Sequence, residues 1–234
     1  MVTGPRMKAE EIRKIVAKGL ARRYYRVGRT GGWYGGIATC DCTGCNLSCI
    51  FCWSDYPREH PRTGRFYNPS EISNILIRKA KAKNYPRVRL SGNEPTIAKE
   101  HLLKVIELVE LTGLRFILET NGTLIDLDFA RRLARFQNLH VRVSLKGANE
   151  EEFVRLTGCD GFELQLGALN CLTEAGVSCH AAVMASFSKS GAKFDLKRRL
   201  GRIDPYLVRA LEEEEVILYP HVEKRLYESG LICF

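Results

Sequence analysis

Residues 87–119 read RVRLSGNEPTIAKEHLLKVIELVELTGLRFILE, and this stretch decides the fold. Arg87 to Ser91 alternates in the manner of a strand. Thr96 is placed to cap a helix whose Leu102, Leu103, Ile106 and Val109 share one face, and Gly113 ends it. Leu114 to Glu119 is a second alternating run. A strand, a helix and a strand in this span form a βαβ unit, so the two strands are parallel.

The same rhythm extends in both directions. Upstream, Ile37 to Thr39 forms a short strand, and Asn68-Pro69-Ser70-Glu71 combines a cap residue, Pro at the first helical position and Glu three residues after the cap. Ile72, Ile75 and Leu76 mark the buried face of the helix that follows. Downstream come a helix over 127–136, a strand from His140 to Lys146, helices over 149–156 and 161–175, and a strand from Val177 to Val183. A basic loop with some helix covers 185–203. A helix after Pro205 leads to the acidic run Glu212–Glu215, and Val216 to Tyr219 is expected as the last strand. Six parallel strands are too few for a full eight-stranded barrel. Residues 1–34 are expected to be a basic helical extension, with Ile12, Ile15, Val16 and Leu20 at helical spacing. Residues 35–220 form the core, and 221–234 a tail.

The strands carry a second signal. Val88 and Leu90 oppose Arg89 and Ser91. Leu114, Phe116 and Leu118 oppose Arg115 and Glu119. Val141, Val143 and Leu145 oppose Arg142, Ser144 and Lys146, and Val177, Cys179, Ala181 and Val183 oppose Ser178 and His180. Period-two geometry puts each set on one side of the sheet. The apolar side is expected under the helices. The polar side is expected to line a cationic lumen that holds a ligand.

Composition sets broad bounds. The chain has 234 residues, 45% hydrophobic and 27% charged, which suits one globular domain. No run approaches the length of apolar sequence that a membrane span needs, and the N-terminus lacks the apolar block of a secretory signal, so the cytoplasm is the expected location. The net charge of +9 is spread along the chain rather than blocked, which favours a solvated basic surface over a dedicated polyanion-binding tract. Five of the nine cysteines fall within Cys40–Cys52. A secreted disulfide framework scatters its cysteines, whereas a tight cluster points to metal.

Within that cluster, Cys45-Asn46-Leu47-Ser48-Cys49-Ile50-Phe51-Cys52 places three thiols where one loop can wrap one iron–sulfur cluster. Three thiolates on four irons leave one iron open, as a catalytic centre requires. This spacing, with aromatic Phe51 before the last cysteine, resembles the signature of the radical S-adenosylmethionine (SAM) superfamily. Ser91-Gly92-Asn93-Glu94-Pro95 resembles the family's Gly-Gly-Glu-Pro motif. Glu119-Thr120-Asn121-Gly122-Thr123 resembles its Thr-Asn-Gly turn, and Ser144-Leu145-Lys146 is similar to the Asp-x-Lys strand of glycyl-radical-enzyme activases.

The resemblance implies an α/β fold, a (β/α)6 partial TIM barrel, with a [4Fe–4S] cluster on Cys45, Cys49 and Cys52. It also implies reductive cleavage of SAM to methionine and a hydrogen-abstracting 5′-deoxyadenosyl radical, with a ferredoxin- or flavodoxin-like electron donor. By motif position Gly92, Asn93 and Glu94 would meet the SAM amino group, Ser144 and Lys146 its ribose or carboxylate, and Phe51 its adenine. Glu119 and Asn121 join the cofactor-binding set through the Thr-Asn-Gly turn. Ser144 stands where the activases have Asp. Trp53 is either a site residue or core.

Cys40 and Cys42 read as bystanders, and Cys159, Cys171, Cys179 and Cys233 as small core hydrophobes. His180 faces the lumen as a substrate contact or a satisfied core group. The substrate is a protein on the activase resemblance, which the Leu156-Thr157-Gly158 segment shares with the Ser144–Lys146 strand. It is RNA or a nucleotide if Cys52-Trp53 and Arg58, Arg62 and Arg65 follow the tricyclic-base-forming enzymes of tRNA wybutosine synthesis, and a small molecule remains open. The alternative of another class pairs Cys42-x2-Cys45 with Cys49-x2-Cys52 as a four-cysteine zinc module.

Overall fold

The computed structural model describes residues 4–232, apart from the side chain of Trp33. The chain opens with α1 (Pro5–Val16), with Pro5 in the first turn where its missing N–H costs nothing. It continues as β1 (Ala17–Lys18), β2 (Ala21–Gly31) and β3 (Ile37–Cys42). After the cysteine loop come α2 (Asp55–Glu59), β4 (Arg65–Tyr67), α3 (Pro69–Ala82), β5 (Arg87–Gly92), α4 (Lys99–Glu110), β6 (Arg115–Thr120), α5 (Leu127–Leu133) and β7 (Leu139–Leu145). The chain closes with α6 (Glu150–Thr157), α7 (Phe162–Glu174), β8 (Cys179–Met184), α8 (Ser190–Ile203), α9 (Pro205–Arg209), β9 (Glu212–Glu214) and α10 (Pro220–Glu228).

One sheet runs in the order β1-β2-β3-β5-β6-β7-β8-β9, with β4 paired to β2 off this path. From β3 to β9 every pairing is parallel, which makes six parallel strands. This is the α/β architecture of a partial barrel. The apolar sides of the strands lie where their alternation places them. Val88, Leu90, Phe116, Leu118, Val141, Val143, Ala181 and Val183 join one core with Leu76, Leu102, Phe129, Phe153, Leu169 and Leu200 of the helices. Ala9, Ile12 and Val16 of α1 form a smaller core with Ile97. Among the described residues, no helix is long and apolar enough to cross a membrane.

Three elements differ from the sequence expectation. The helix expected through residues 1–34 stops at Val16, Leu20 lies exposed in a turn, and residues 21–31 form the long antiparallel strand β2. Its buried positions are Arg22 and Tyr24 rather than aliphatic residues, so hydrophobic periodicity does not reveal it. The last strand is the acidic run Glu212–Glu214, not Val216–Tyr219. Its carboxylates satisfy cations on both faces: Glu212 and Glu214 pair with Arg142 inside, and Glu213 pairs with Lys193 and Lys197 outside. The tail expected over 221–234 is largely helix, α10, whose Val222 and Leu226 are buried.

Arg22 joins the N-terminal hairpin to the barrel. Its side chain is 1% exposed, and Nη2 donates to the carbonyls of Thr43 (3.2 Å) and Glu94 (2.7 Å). Beside it, Tyr24 Oη lies 2.8 Å from His101 Nε2, and His101 Nδ1 lies 2.7 Å from the Leu20 carbonyl. Replacing Arg22 with Met is expected to leave buried carbonyls unsatisfied and to lower stability by about 1–3 kcal/mol for each. Urea unfolding measures this, and a midpoint unchanged from the parent would contradict the role assigned to Arg22.

Candidate active site

The site stands at the C-terminal ends of the parallel strands, where the cysteine loop leaves β3. Gly92 ends β5 at φ +89°, and a Cβ there would come within 2.8 Å of the Asp41 Cβ, so the turn requires glycine. Asn93 follows and reaches across to the loop. Its Oδ1 accepts from Gly44 N (2.8 Å), and its Nδ2 donates to the Ser54 carbonyl and hydroxyl (3.0 Å each). Glu94 is 2% exposed. Its carboxylate accepts from the Thr96 amide and hydroxyl, from the Thr120 hydroxyl and from the Asn121 amide. The side chains of Asn93 and Glu94 therefore tie three turns together.

Polar donors surround the cysteine sulfurs. Leu47 N donates to Cys45 Sγ (3.5 Å), and Asn121 Nδ2 lies 3.8 Å from the same sulfur. Ser54 Oγ lies 3.7 Å from Cys52 Sγ. Burial pushes the Cys45 thiol well above its ordinary range, and the neighbouring Cys49 adds to this. Burial also raises Cys49, to about 11, against the pull of Lys146. Such thiols ionise when bound metal supplies the compensating charge. Three thiols on one short loop, with polar groups at the sulfurs of Cys45 and Cys52, have the donor chemistry of the cluster that the loop spacing implies.

The four-cysteine zinc grouping does not form. Cys40 and Cys42 lie fully buried on β3, within the core. Among the described residues, no group of three or more Cys, His, Asp or Glu side chains is closed up as a metal site, the three loop thiols included, so the cluster reading rests on the spacing and chemistry of the loop. Cys159 and Cys179 are buried and Cys171 packs against the core, whereas Cys233 lies outside the described residues.

Around the loop, Phe51 stacks on Phe187 with ring centroids 5.8 Å apart. Lys146 Nζ lies 6.0 Å from the Phe51 ring and donates to Ser144 Oγ (2.6 Å). Trp53 is exposed, with the Arg26 guanidinium over its ring, so it is a surface residue rather than core. Arg58 turns inward to the Cys49 carbonyl (2.6 Å), and Arg65 bonds Tyr67 Oη, so two of the three arginines after the loop are engaged within the protein.

The lumen is polar, as the alternation predicts, but its charge is balanced rather than cationic. Four guanidiniums meet four carboxylates: Arg26 and Arg29 on Asp41, Arg89 on Glu119, and Arg142 on Glu212 and Glu214. Glu119 also accepts from Ser91 Oγ (2.7 Å). The contacts with His180 and Arg142 hold Glu212 down at about 2. On the lumen floor His140 Nε2 lies 2.6 Å from His180 Nδ1, and burial, reinforced by His180 and Arg115, brings His140 down to about 4. Neither Glu212 nor Glu214 was expected from sequence to face the lumen, because an acidic run reads as a solvated surface. Nor was the C-terminal Arg225, which binds the cysteine loop and has no motif to mark it.

Open parallel-strand ends, a three-thiol loop and a polar lumen fit an iron–sulfur enzyme of the partial-barrel class. The family model of the radical SAM superfamily matches residues 41–186, and the chain belongs to that superfamily. Its cofactors are a [4Fe–4S] cluster and SAM. Fe-coproporphyrin III synthase of Methanosarcina barkeri is 29% identical over 176 residues, 74% of this chain and 39% of the relative. A probable GTP 3′,8-cyclase of Thermococcus kodakarensis is 31% identical over 122 residues, 52% of this chain and 38% of the relative. The solved structure of Streptococcus suis SuiB bound to SAM superposes with a TM-score of 0.61 at 16% identity, covering 82% of this chain and 43% of that one. The chain thus spans about two fifths of the length of these relatives.

Two outcomes are expected. Glu94→Gln places an amide donor among four donors and should lower stability by about 1–3 kcal/mol, read by urea unfolding; unchanged stability would remove Glu94 from the turn-joining role. His140 and His101 both titrate near 4 in the folded protein, against an ordinary value of 6.5. Protons then bind the unfolded chain first. The stabilisation is fully present above pH 6.5, is lost as pH falls toward 4, and levels off below that. Unfolding curves between pH 7 and 4 should show this slope, and His140→Asn should shallow it.

Proposed function

We propose that the protein abstracts hydrogen from a small polar substrate whose ionic group sits among the lumen pairs of Arg89, Glu119, Arg142, Glu212 and Glu214. When bound, the reduced cluster and SAM together supply a 5′-deoxyadenosyl radical as the abstracting agent. Cys45, Cys49 and Cys52 would hold the cluster. Ser144 and Lys146 would orient the ribose or carboxylate of SAM, and Phe51 its adenine. With the Asn93 and Glu94 side chains engaged, the backbone of the Gly92–Glu94 turn would face the SAM amino group. Glu119 and Asn121 would complete the cofactor wall, with Asn121 also donating to the Cys45 sulfur.

The observation that carries the reading is the burial of Arg142. Its side chain is 7% exposed between two carboxylates, beneath the cofactor residues. Burying ion pairs costs desolvation that packed apolar residues would avoid, so a lumen built this way suits exchange of one partner for a ligand's ionic group. Two features that resemble the activases do not select a protein substrate. Lys146 bonds Ser144, and the Leu156 carbonyl accepts from Ile50 N of the loop, and both contacts serve the cofactor site whatever the substrate. The RNA reading loses support because Arg58 turns to the Cys49 carbonyl and Arg65 is engaged by Tyr67 at the surface. A ferredoxin- or flavodoxin-like donor would deliver the electron.

Anaerobic reconstitution followed by reduction with SAM should yield 5′-deoxyadenosine, and Cys49→Ala should lose both cluster and product. Arg142→Gln should keep substrate-free SAM cleavage while losing its stimulation by a small-molecule cell extract. Stimulation that survives Arg142→Gln would place the substrate elsewhere.

A further inference from the structure

The C-terminal helix α10 reaches the cysteine loop through one residue, Arg225. Its Nε donates to the Ile50 carbonyl (3.0 Å) and its Nη2 to the Cys52 carbonyl (2.6 Å). Its Nη1 pairs with Asp55, at the start of α2. His221, one turn earlier, lies 3.1 Å from the Trp53 carbonyl and 3.5 Å from Asp55. Arg225 is thus a three-way clamp on the loop segment that carries two of the three cysteines.

Other cations complete a collar. Lys8 of α1 donates to Ser48 Oγ (2.6 Å), Arg58 of α2 donates to the Cys49 carbonyl, and Lys146 stands over Phe51. The carboxylates in contact are Asp55, on Arg225, and Glu59, on Arg58. A side chain that binds a loop by its carbonyls fixes the directions in which the thiolates project. A positive charge held on the Ile50 and Cys52 carbonyls, in the backbone segment that carries the thiols, also stabilises the centre after it gains an electron. Cluster potential follows net charge, hydrogen bonding and exposure, so such a charge raises it.

We propose that Arg225 is a positioning residue that orients the cluster loop and raises the cluster's reduction potential, with Asp55 as its opposing partner. This couples the C-terminal helix to the redox step across 173 residues of sequence. The inference goes beyond the substrate reading and does not depend on it.

The test is an EPR-monitored redox titration of the reconstituted protein without SAM, with iron and sulfide content measured in parallel. Arg225→Gln should lower the potential so that the ratio of reduced to oxidised cluster at a fixed potential falls about tenfold, equivalent to about 59 mV for one electron. Arg225→Lys keeps the charge and should titrate close to the parent. Asp55→Asn leaves the guanidinium uncompensated and should move the potential upward. Opposite shifts in Arg225→Gln and Asp55→Asn at full iron content support the proposal, because a merely structural clamp would give cluster loss without opposed potentials. Parent-like potentials in both variants at full iron content overturn it. If Arg225→Gln does not hold a cluster, Asp55→Asn decides: an upward shift supports the proposal, and a parent-like potential overturns it.

Discussion

The site depends on one buried carboxylate. Glu94 accepts hydrogen bonds from Thr96, Thr120 and Asn121, so the turn after β5 and the turn after β6 share one acceptor. Its neighbour Asn93 binds Gly44 and Ser54 at either side of the cysteine segment. Asn121, held by Glu94, returns to Cys45 and to Asn46. The cysteine loop is therefore suspended from the ends of two strands. A charged acceptor suits this position because a buried carboxylate can satisfy several donors at once, and each such bond is stronger than a neutral one.

Beneath this girdle the lumen replaces packing with charge. A full barrel fills its interior with branched apolar side chains. Here the inner faces of five strands carry Asp41, Arg89, Ser91, Glu119, Arg142 and Glu212, and the charges close on one another. The sixth parallel strand is short and acidic because its inner residues answer Arg142 and His180 rather than water. Stability thus comes from the outer, helix-covered face, and the inner face is left polar.

The two ends of the chain serve the same loop from opposite sides. From the N-terminal side come Lys8 on Ser48, the Pro5 carbonyl accepting from Asn46, and Arg22 on Thr43 and Glu94. From the C-terminal side comes Arg225 on Ile50 and Cys52. None of these contacts has a local pattern. Arg22 and Arg225 reach backbone carbonyls and Lys8 reaches a hydroxyl, and any Arg or Lys is chemically able to do so.

The sequence by itself determined the βαβ order, the number of parallel strands, which strand residues face the helices, and the three thiols of the loop. These follow from rules of short range: period-two alternation, capping residues, and ligand spacing along one loop. Only the tertiary structure decided that residues 21–31 form a strand and that Glu212–Glu214 forms another. In both, the inward side chains are polar or charged rather than aliphatic, and a buried charge is recognisable only beside its partner. It also decided that Asn93 and Glu94 bind protein groups, and that Arg225 reaches the loop. Their partners lie far away in sequence, and only the closed barrel brings them within hydrogen-bond distance.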